Sequence, residues 1–428
     1  MRHRVAFVTN ALTLGGTEKM LVSCATRIDR ERFDAHVVGV LELGPRAEEL
    51  AAAGIPVTCA EGDGARLAEL LRGTDLVHVF RHGIAEPIVP AACREAGVRR
   101  LVETNVFGSV DASEDERQFD CHLFMSKMTL LRYRNKVRDR SPAFHGRHRV
   151  LSAPIEHRAL GRQAPSRTDA RRQLGLHPDR PVVGRVGRAA DLKWRRLIVD
   201  MVPHVLAIEP QAQVLLVGAT PAKVARLRKL GVLDRCVLHD PSPDDARLAT
   251  FYAACDVFAS AAEIGESQGI AIGEALGFEV PVVTSSTPWA DNAQVEFVEH
   301  GRTGWLASHP RSFAEAVADL LRDGERRASF GRAGREDVER TLSPDDVGPR
   351  LDGLYGELLG DGPARAWEPG PREIDAFARD YRRRAYAEFR PLTLRERGEV
   401  RAARLRERAT LAKTAAAPVL AQLKDRLP

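Results

Sequence analysis

The sequence predicts an α/β protein made of two doubly wound domains in tandem, facing across a cleft and followed by a helical tail. Three observations carry this. The chain has 428 residues, whereas single hydrophobic cores stop growing at roughly 250–300 residues, so two domains are expected. Short apolar runs alternate with helical stretches, the pattern of a parallel sheet with helical crossovers. That alternation breaks once, in the polar segment 161–168, and then restarts.

The first unit opens with VAFVT (5–9), then HVVGVL (36–41), IPVTC (55–59), LVHVF (76–80), RLVET (100–104), CHLFMS (121–126) and RVLSAPI (149–155) as candidate strands. Met20, Leu21, Cys24, Ala25 and Ile28 recur at helical spacing, which predicts an amphipathic helix over 17–28. The second unit repeats the scheme with PVVGRVG (181–187), VLLVG (214–218), CVLHD (236–240), VFASA (257–261) and PVVTSS (281–286). Helices are expected between them near 195–208, 221–230, 243–254 and 269–277, and beyond them near 312–322, 325–341 and 344–359. The domains are accordingly drawn as 1–160, 161–345 and a tail of 346–428. WEPGP (367–371) precedes two Arg-rich helical stretches, about 372–389 and 393–414.

Hydrophobic content of 44%, charged content of 29% and a mean hydropathy of -0.26 describe a globular chain, which excludes disorder and collagen. No run reaches the ~18 apolar residues of a membrane span, and MRHR leads straight into VAFVTN. A cytoplasmic location is therefore expected. The six cysteines have no C-x-x-C pair and no zinc-site spacing, so they read as reduced thiols. Residues 361–428 hold 16 Lys/Arg against 10 Asp/Glu, so of the net +5 the tail carries +6 and the rest -1. A nucleic-acid partner would need a basic, aromatic-lined groove, for which that -1 gives no support.

Three local patterns carry chemistry. Glu266-Ser267-Gln268-Gly269-Ile270 runs from a strand end into a helix that bears Glu274. Two carboxylates and the amides of a helix N-terminus suit a ligand that mixes hydroxyls with negative charge. A solvated helix face is the alternative for so bare a spacing, and its place at a strand end argues against it. Gly187-Arg188-Ala-Ala-Asp-Leu-Lys193 sets two cations five apart just past another strand, able to neutralise charge on a departing diphosphate. Leu14-Gly15-Gly16-Thr17-Glu18 follows the first strand, where paired glycines allow close backbone approach to a ligand. It is not a G-x-G-x-x-G, so the dinucleotide fingerprint fails.

GGTE (15–18), GRAADLK (187–193), YAACDVFASAAEIGESQGIAIGEALGFEVPVV (252–283) and HGRTGWLA (300–307) together resemble the family 4 glycosyltransferases, retaining enzymes of the GT-B fold. The resemblance covers roughly residues 3–345. It implies two Rossmann-like domains and transfer of a hexose from a nucleotide-diphosphate sugar to a hydroxyl acceptor, with no metal and no other cofactor. By the same resemblance Arg188 and Lys193 grip the donor diphosphate, Glu266 lies against the donor sugar and Glu274 binds the ribose. Gly15 and Gly16 form the loop near the β-phosphate, while Ser267, Gln268, Gly269 and Ile270 present amides to the phosphates. Arg188, Lys193 and Glu266 are the catalytic candidates.

This chain departs from the family pattern at three places. Trp194 replaces a common glycine and is expected to pack between domains; Gln268 replaces a common aromatic. Asn105 stands where a histidine near the acceptor would be sought, so no general base is assigned there. His82, at the end of the fourth strand, is the better acceptor-side candidate, with Asn105 beside it. His78 reads as a satisfied core residue, His145 and His148 as solvated, and Asp291, Asn292 and Gln294 as either donor-pocket residues or a turn. The acceptor stays open among cell-surface glycans, lipid-linked sugars and secondary metabolites. The tail, 372–428, either folds back over the first domain or protrudes as a basic arm able to lie on anionic lipid. The competing functions are a nucleotide-sugar epimerase or hydrolase of the same fold, and a non-catalytic binding protein that uses the basic tail.

Overall fold

The computed structural model describes residues 2–83, 86–111, 113–139, 141, 143–362 and 367–424, with side chains described as far as residue 412 apart from that of residue 114. The last residues of the expected tail, 425–428, lie outside the described residues. Two compact units emerge: Met1–Glu156 with Val338–Arg382, and His157–Asp337 with Arg383–Pro428. The sequence drew its boundaries after residues 160 and 345. The chain instead divides after Glu156, and the segment from Val338 returns to the first unit.

The first unit holds seven strands: β1 (His3–Ala11), β2 (Phe33–Glu42), β3 (Val57–Cys59), β4 (Leu76–Arg81), β5 (Arg100–Asn105), β6 (Cys121–Phe124) and β7 (His148–Val150). They lie in the order β3-β2-β1-β4-β5-β6-β7, all parallel. Val5, Ala6, Phe7 and Val8 are all buried, as a strand covered on both faces requires. The expected seventh strand, RVLSAPI, ends early at Val150. Residues 151–156 run on without regular structure, and Ile155 N donates to Leu342 O (2.9 Å), outside the sheet.

The second unit holds β8 (Val182–Val186), β9 (Gln213–Val217), β10 (Cys236–His239), β11 (Val257–Ser260), β12 (Val282–Thr284) and β13 (Gly304–Leu306), ordered β10-β9-β8-β11-β12-β13. β13 was not foreseen. Its three residues are too few to show a period, and it is recruited by pairing Gly304, Trp305 and Leu306 with β12. Asp256 anchors the start of β8 by accepting from Val182 N (2.7 Å) and Arg171 Nη2 (2.6 Å). In both sheets the strand order reverses beside the first strand, between β1 and β4 and between β8 and β11. Such a switch point opens a crevice at the carboxyl ends of the strands.

The returning segment is tied to the first unit through a buried histidine. His78 of β4 bonds the hydroxyls of Tyr355 (2.7 Å) and Thr104 (2.8 Å), so it is the satisfied core residue that was expected. Tyr355 belongs to the helix Val347–Leu359. Burial pushes the His78 pKa down to about 3. The unfolded chain, with an ordinary histidine, therefore takes up a proton before the native state does. Stability is full above about pH 6.5 and falls as pH drops towards 3, by up to ~1.4 kcal/mol per pH unit. Chemical unfolding from pH 7 to 4 should show this slope, and a folded His78→Gln variant should flatten it. His145 and His148 are half-buried instead of free in solvent. His148 stacks on Phe144 at 4.1 Å and on His122 at 5.0 Å, and burial lowers its pKa to about 4, while that of the partly buried His145 is also lowered, burial being the largest cause.

The tail is neither a free arm nor held by the first unit alone. The helix Pro371–Ala385 buries Ile374 and Phe377 in the first unit against Phe124, Leu130, Tyr133 and Phe144. Beyond it, Glu388 accepts from Ser308 N (2.8 Å) and Ser312 Oγ (3.1 Å) in the second unit, and Phe389 meets Trp305 edge-on at 5.3 Å. The helix Leu394–Lys424 then offers Glu407 to Arg195 Nε at 2.6 Å. Carboxylates with specific partners, which look like solvated charge in the sequence, hold this segment down. No described helix is long and apolar enough to cross a membrane.

Candidate functional site

β8 and β11 of the second unit end side by side, and the two sharpest motifs leave from those ends. After β8 the chain turns through Gly187–Lys193, a short 3-10 turn at Asp191–Lys193 closing it. After β11 it runs through Ala261–Gly269 into the helix Ile270–Gly277. Main-chain bonds tie the two turns together. Glu263 N and Ile264 N both donate to Leu192 O (2.9 and 3.2 Å), and Arg195 N donates to Ala261 O (3.0 Å). Lys193 Nζ thereby reaches Glu266 Oε2 at 2.7 Å. Arg188 is exposed and makes no ion pair among the described residues.

Trp194 corrects an expectation. It is fully buried in the core of the second unit with Ile198, Val199 and Met201, not set between domains. Its indole Nε1 donates to Arg188 O at 3.0 Å, so a large apolar side chain anchors the turn that carries both cations. Glycine there would leave that carbonyl without its partner.

The loop bearing Glu266 is braced from behind. Glu266 N donates to Gln294 Oε1 (3.1 Å), and Gln294 Nε2 donates to Ser285 O (3.0 Å) and Thr287 Oγ1 (2.8 Å). Asn292 Oδ1 accepts from Thr287 N at 2.7 Å, and Ala293 N donates to Glu266 O at 2.8 Å. Asp291, Asn292 and Gln294 are all buried and hold the loop's shape.

Ser267 and Gln268 precede the helix instead of forming its first turn, and Gln268 is buried. Gly269 is the cap, at φ +89, a left-handed conformation that favours glycine, and Ile270 opens the helix. Glu274 lies one turn in. It is buried and accepts from the Tyr252 hydroxyl at 2.8 Å. Burial, reinforced by that carboxylate, holds the Tyr252 pKa well above the usual phenol value, so the phenol stays a donor that fixes the carboxylate. Tyr252 was missed as a site residue because the 22 positions between it and Glu274 carry no local signal.

In the first unit the candidates are placed as follows. Gly15 caps the helix Gly16–Arg27, and a Cβ there would meet Glu18 Oε2 at 2.1 Å. The space over this glycine is occupied by the Glu18 carboxylate. His82 is exposed with its ring 5.0 Å from Phe107. Asn105 is buried, donates from Nδ2 to Ser109 O at 2.9 Å and packs under Gly83, where a Cβ would lie 2.2 Å away. It braces a loop and offers no surface to an acceptor. Beside it Arg81, also buried, bonds Glu103 (2.8 Å), Asp111 (3.0 Å) and Glu116 (3.2 Å), a network that strand patterning does not reveal. Glu103, Glu116 and His122 are the one set of three possible metal ligands among the described residues. Their atoms are already committed to one another, to Arg81 and to Tyr133.

Residues 180–323 match the family model described as glycosyl transferases group 1. A GDP-mannose-dependent monoacylated alpha-(1-6)-phosphatidylinositol monomannoside mannosyltransferase of Corynebacterium glutamicum is 25% identical over 310 residues, 67% of this chain and 78% of the relative. D-inositol 3-phosphate glycosyltransferase 2 of Catenulispora acidiphila is 35% identical over 185 residues, 40% of this chain and 42% of the relative. The Corynebacterium protein apart, the chain spans about half the length of the curated relatives it matches. Among solved structures, Anabaena HepE in complex with UDP and glucose superposes with a TM-score of 0.68 at 19% identity, covering 83% of this chain and all of that one. A glycosyltransferase from Rickettsia africae gives 0.69 at 13%, covering 84% and 100%. Two parallel doubly wound sheets that match such structures define a GT-B protein. The glycosyl transferases group 1 match falls within its second unit, and the family resemblance expected from the motifs is borne out.

Proposed function

We propose that this chain is a retaining glycosyltransferase that moves a hexose from a nucleotide-diphosphate sugar to a hydroxyl of its acceptor. The observation that carries this reading is the Lys193–Glu266 pair, 2.7 Å apart, formed where the turns after β8 and β11 meet, with Arg188 on the first turn and Glu274 on the helix that follows the second. Arg188 and Lys193 take the diphosphate and stabilise the charge that develops as it leaves. Glu266 faces the sugar, and Glu274, steadied by Tyr252, takes the ribose hydroxyls. The bond from C1 to the β-phosphate oxygen breaks as the bond from C1 to the acceptor oxygen forms on the same face. The acceptor proton passes to the departing phosphate oxygen, so no side-chain base is required. An epimerase or hydrolase of the same fold gains no support from any feature of the site.

The test is a thermal-shift panel of nucleoside diphosphates and nucleotide sugars, among them UDP, GDP, UDP-glucose and GDP-mannose, since a ligand that binds only the native state raises its melting temperature. One base should stabilise clearly over the others, and the matching sugar nucleotide should then be consumed only with an acceptor present. Donor turnover without acceptor would favour the epimerase or hydrolase instead. Because side-chain cations do the metal's work here, turnover should survive excess EDTA; a loss restored by Mg²⁺ or Mn²⁺ would refute that part.

A peripheral place on the cytoplasmic face of a membrane belongs to the same reading. Tyr386, Leu394 and Leu405 are exposed on the tail among its arginines. Flotation with anionic vesicles should recover the full chain, and a Tyr386→Ser, Leu394→Ser, Leu405→Ser variant should be recovered less. Equal recovery would reject the contact.

A further inference from the structure

Arg185, the fourth of the five residues of β8, is one of the largest fully buried side chains among the described residues, at 2% exposure. Buried guanidinium groups are ordinarily paired with a carboxylate, because an uncompensated buried charge is costly. Among the described residues Arg185 makes no such pair. Nη1 donates to Ser260 Oγ at 3.1 Å and Nη2 to Lys193 O at 2.8 Å, the guanidinium lies 5.4 Å from the centre of the Trp194 ring, and Nε has no partner. A Cβ on Gly187 would stand 3.4 Å from Nη2, so the charge sits directly beneath the turn that carries Arg188 and Lys193. Burial draws its pKa below the usual arginine value, opposed by Glu266 and then Tyr252. Glu266, the main anion acting on it, is already shared with Lys193.

We propose that Arg185 is a positioning residue of the donor site, holding the Lys193 main chain from below and leaving one buried positive charge whose counter-ion is the second phosphate of a nucleoside diphosphate. This rests on the donor-site reading above. Two donors on one rigid fork bridge the ends of β8 and β11: one fixes the carbonyl of Lys193, the other grips Ser260 at the last position of β11. Trp194 does the same for Arg188 through its carbonyl, so each cation is pinned from the core side. With Arg185, Lys193 and Arg188 set against Glu266 and Glu274, these five side chains carry one net positive charge.

The test compares wild type, Arg185→Met, Arg185→Lys and Ser260→Ala for binding of UDP and GDP against UMP and GMP, by titration calorimetry, with circular dichroism and melting as checks on folding. In the wild type the diphosphate of the preferred base should bind more tightly than its monophosphate. Arg185→Met should reduce that preference by about tenfold or more, the scale of one unit charge about 10 Å away at an effective dielectric of about 20. Arg185→Lys, which keeps the charge but cannot span both acceptors, should retain most of the preference yet lower kcat through a misaligned Lys193. Ser260→Ala should behave like a weaker Arg185→Lys. A purely structural arginine would lower the melting temperature while leaving the ratio of diphosphate to monophosphate affinity at its wild-type value, and that result in a folded Arg185→Met overturns the inference. Should Arg185→Met fail to fold, Arg185→Lys and Ser260→Ala decide it, and unchanged kcat in both overturns it. Should the wild type bind no nucleoside diphosphate, the donor-site reading itself falls, and this inference with it.

Discussion

Lys193→Ala should lower kcat by about 10²–10³-fold, or ~3–4 kcal/mol of transition-state stabilisation, the usual effect of removing one oriented charge donor from a leaving group. Two features make the expected loss large. The Lys193 carbonyl is held by Arg185 at 2.8 Å and the following Trp194 is fully buried, so no neighbouring backbone can swing another cation into place. The ammonium is also the partner of Glu266 at 2.7 Å, so its loss leaves that carboxylate unopposed where negative charge must be received. Lys193→Arg should recover part of the rate, because charge matters more than shape at this position. Steady-state kinetics with the donor identified by thermal shift provides the measurement. Near-normal turnover in a folded Lys193→Ala protein would remove the mechanism.

Gly265→Ala should cost about 2–4 kcal/mol of stability, the range of strained or overpacked buried sites. For a unit of this size that is a fall in melting temperature of about 5–10 °C. Gly265 has φ +73, and a Cβ there would come within 1.6 Å of Asp291 O and 2.5 Å of Thr287 Oγ1. The carbonyl is main chain and cannot step aside without breaking the bond from Asp291 N to Ile264 O (3.0 Å). Gly175 is the internal control: it has the same φ of +73 and nothing within 4 Å of a Cβ. Gly175→Ala should therefore show the backbone term alone, about 1 kcal/mol. Equal losses at the two positions would mean that the Glu266 loop is not clamped against 287–292. A larger loss at Gly265, accompanied by weaker nucleotide binding, would tie the clamp to the donor site.

Much of the site was legible because it is local. Arg188, Lys193 and Glu266 each lie within seven residues of the end of β8 or β11, and Glu274 lies on the helix that follows. A doubly wound sheet brings the ends of its first and fourth strands together at the switch point, so motifs 73 residues apart in Lys193 and Glu266 meet. What supports them was not legible. Tyr252, Gln294 and Arg185 act across long sequence separations, and each looks in the chain like an ordinary core or surface residue. Trp194 misled for the same reason, since an aromatic at a family glycine position signals bulk but not direction.

The first unit shows the reverse. Asn105 and Gly15 stand at the right strand ends, yet Asn105 is turned inward beneath Gly83 and the Glu18 carboxylate lies over Gly15. Rotamer and packing settle such points, and neither has a period that can be read along a chain.

Apolar periodicity thus determined the two doubly wound sheets, and strand-end motifs the candidate site, because both depend on neighbours in sequence. Tertiary structure alone decided where the chain divides, that the tail is held down by Glu388 and Glu407, and which buried groups brace the cations. Those outcomes depend on pairing polar atoms whose separation in sequence carries no information until the sheets have formed.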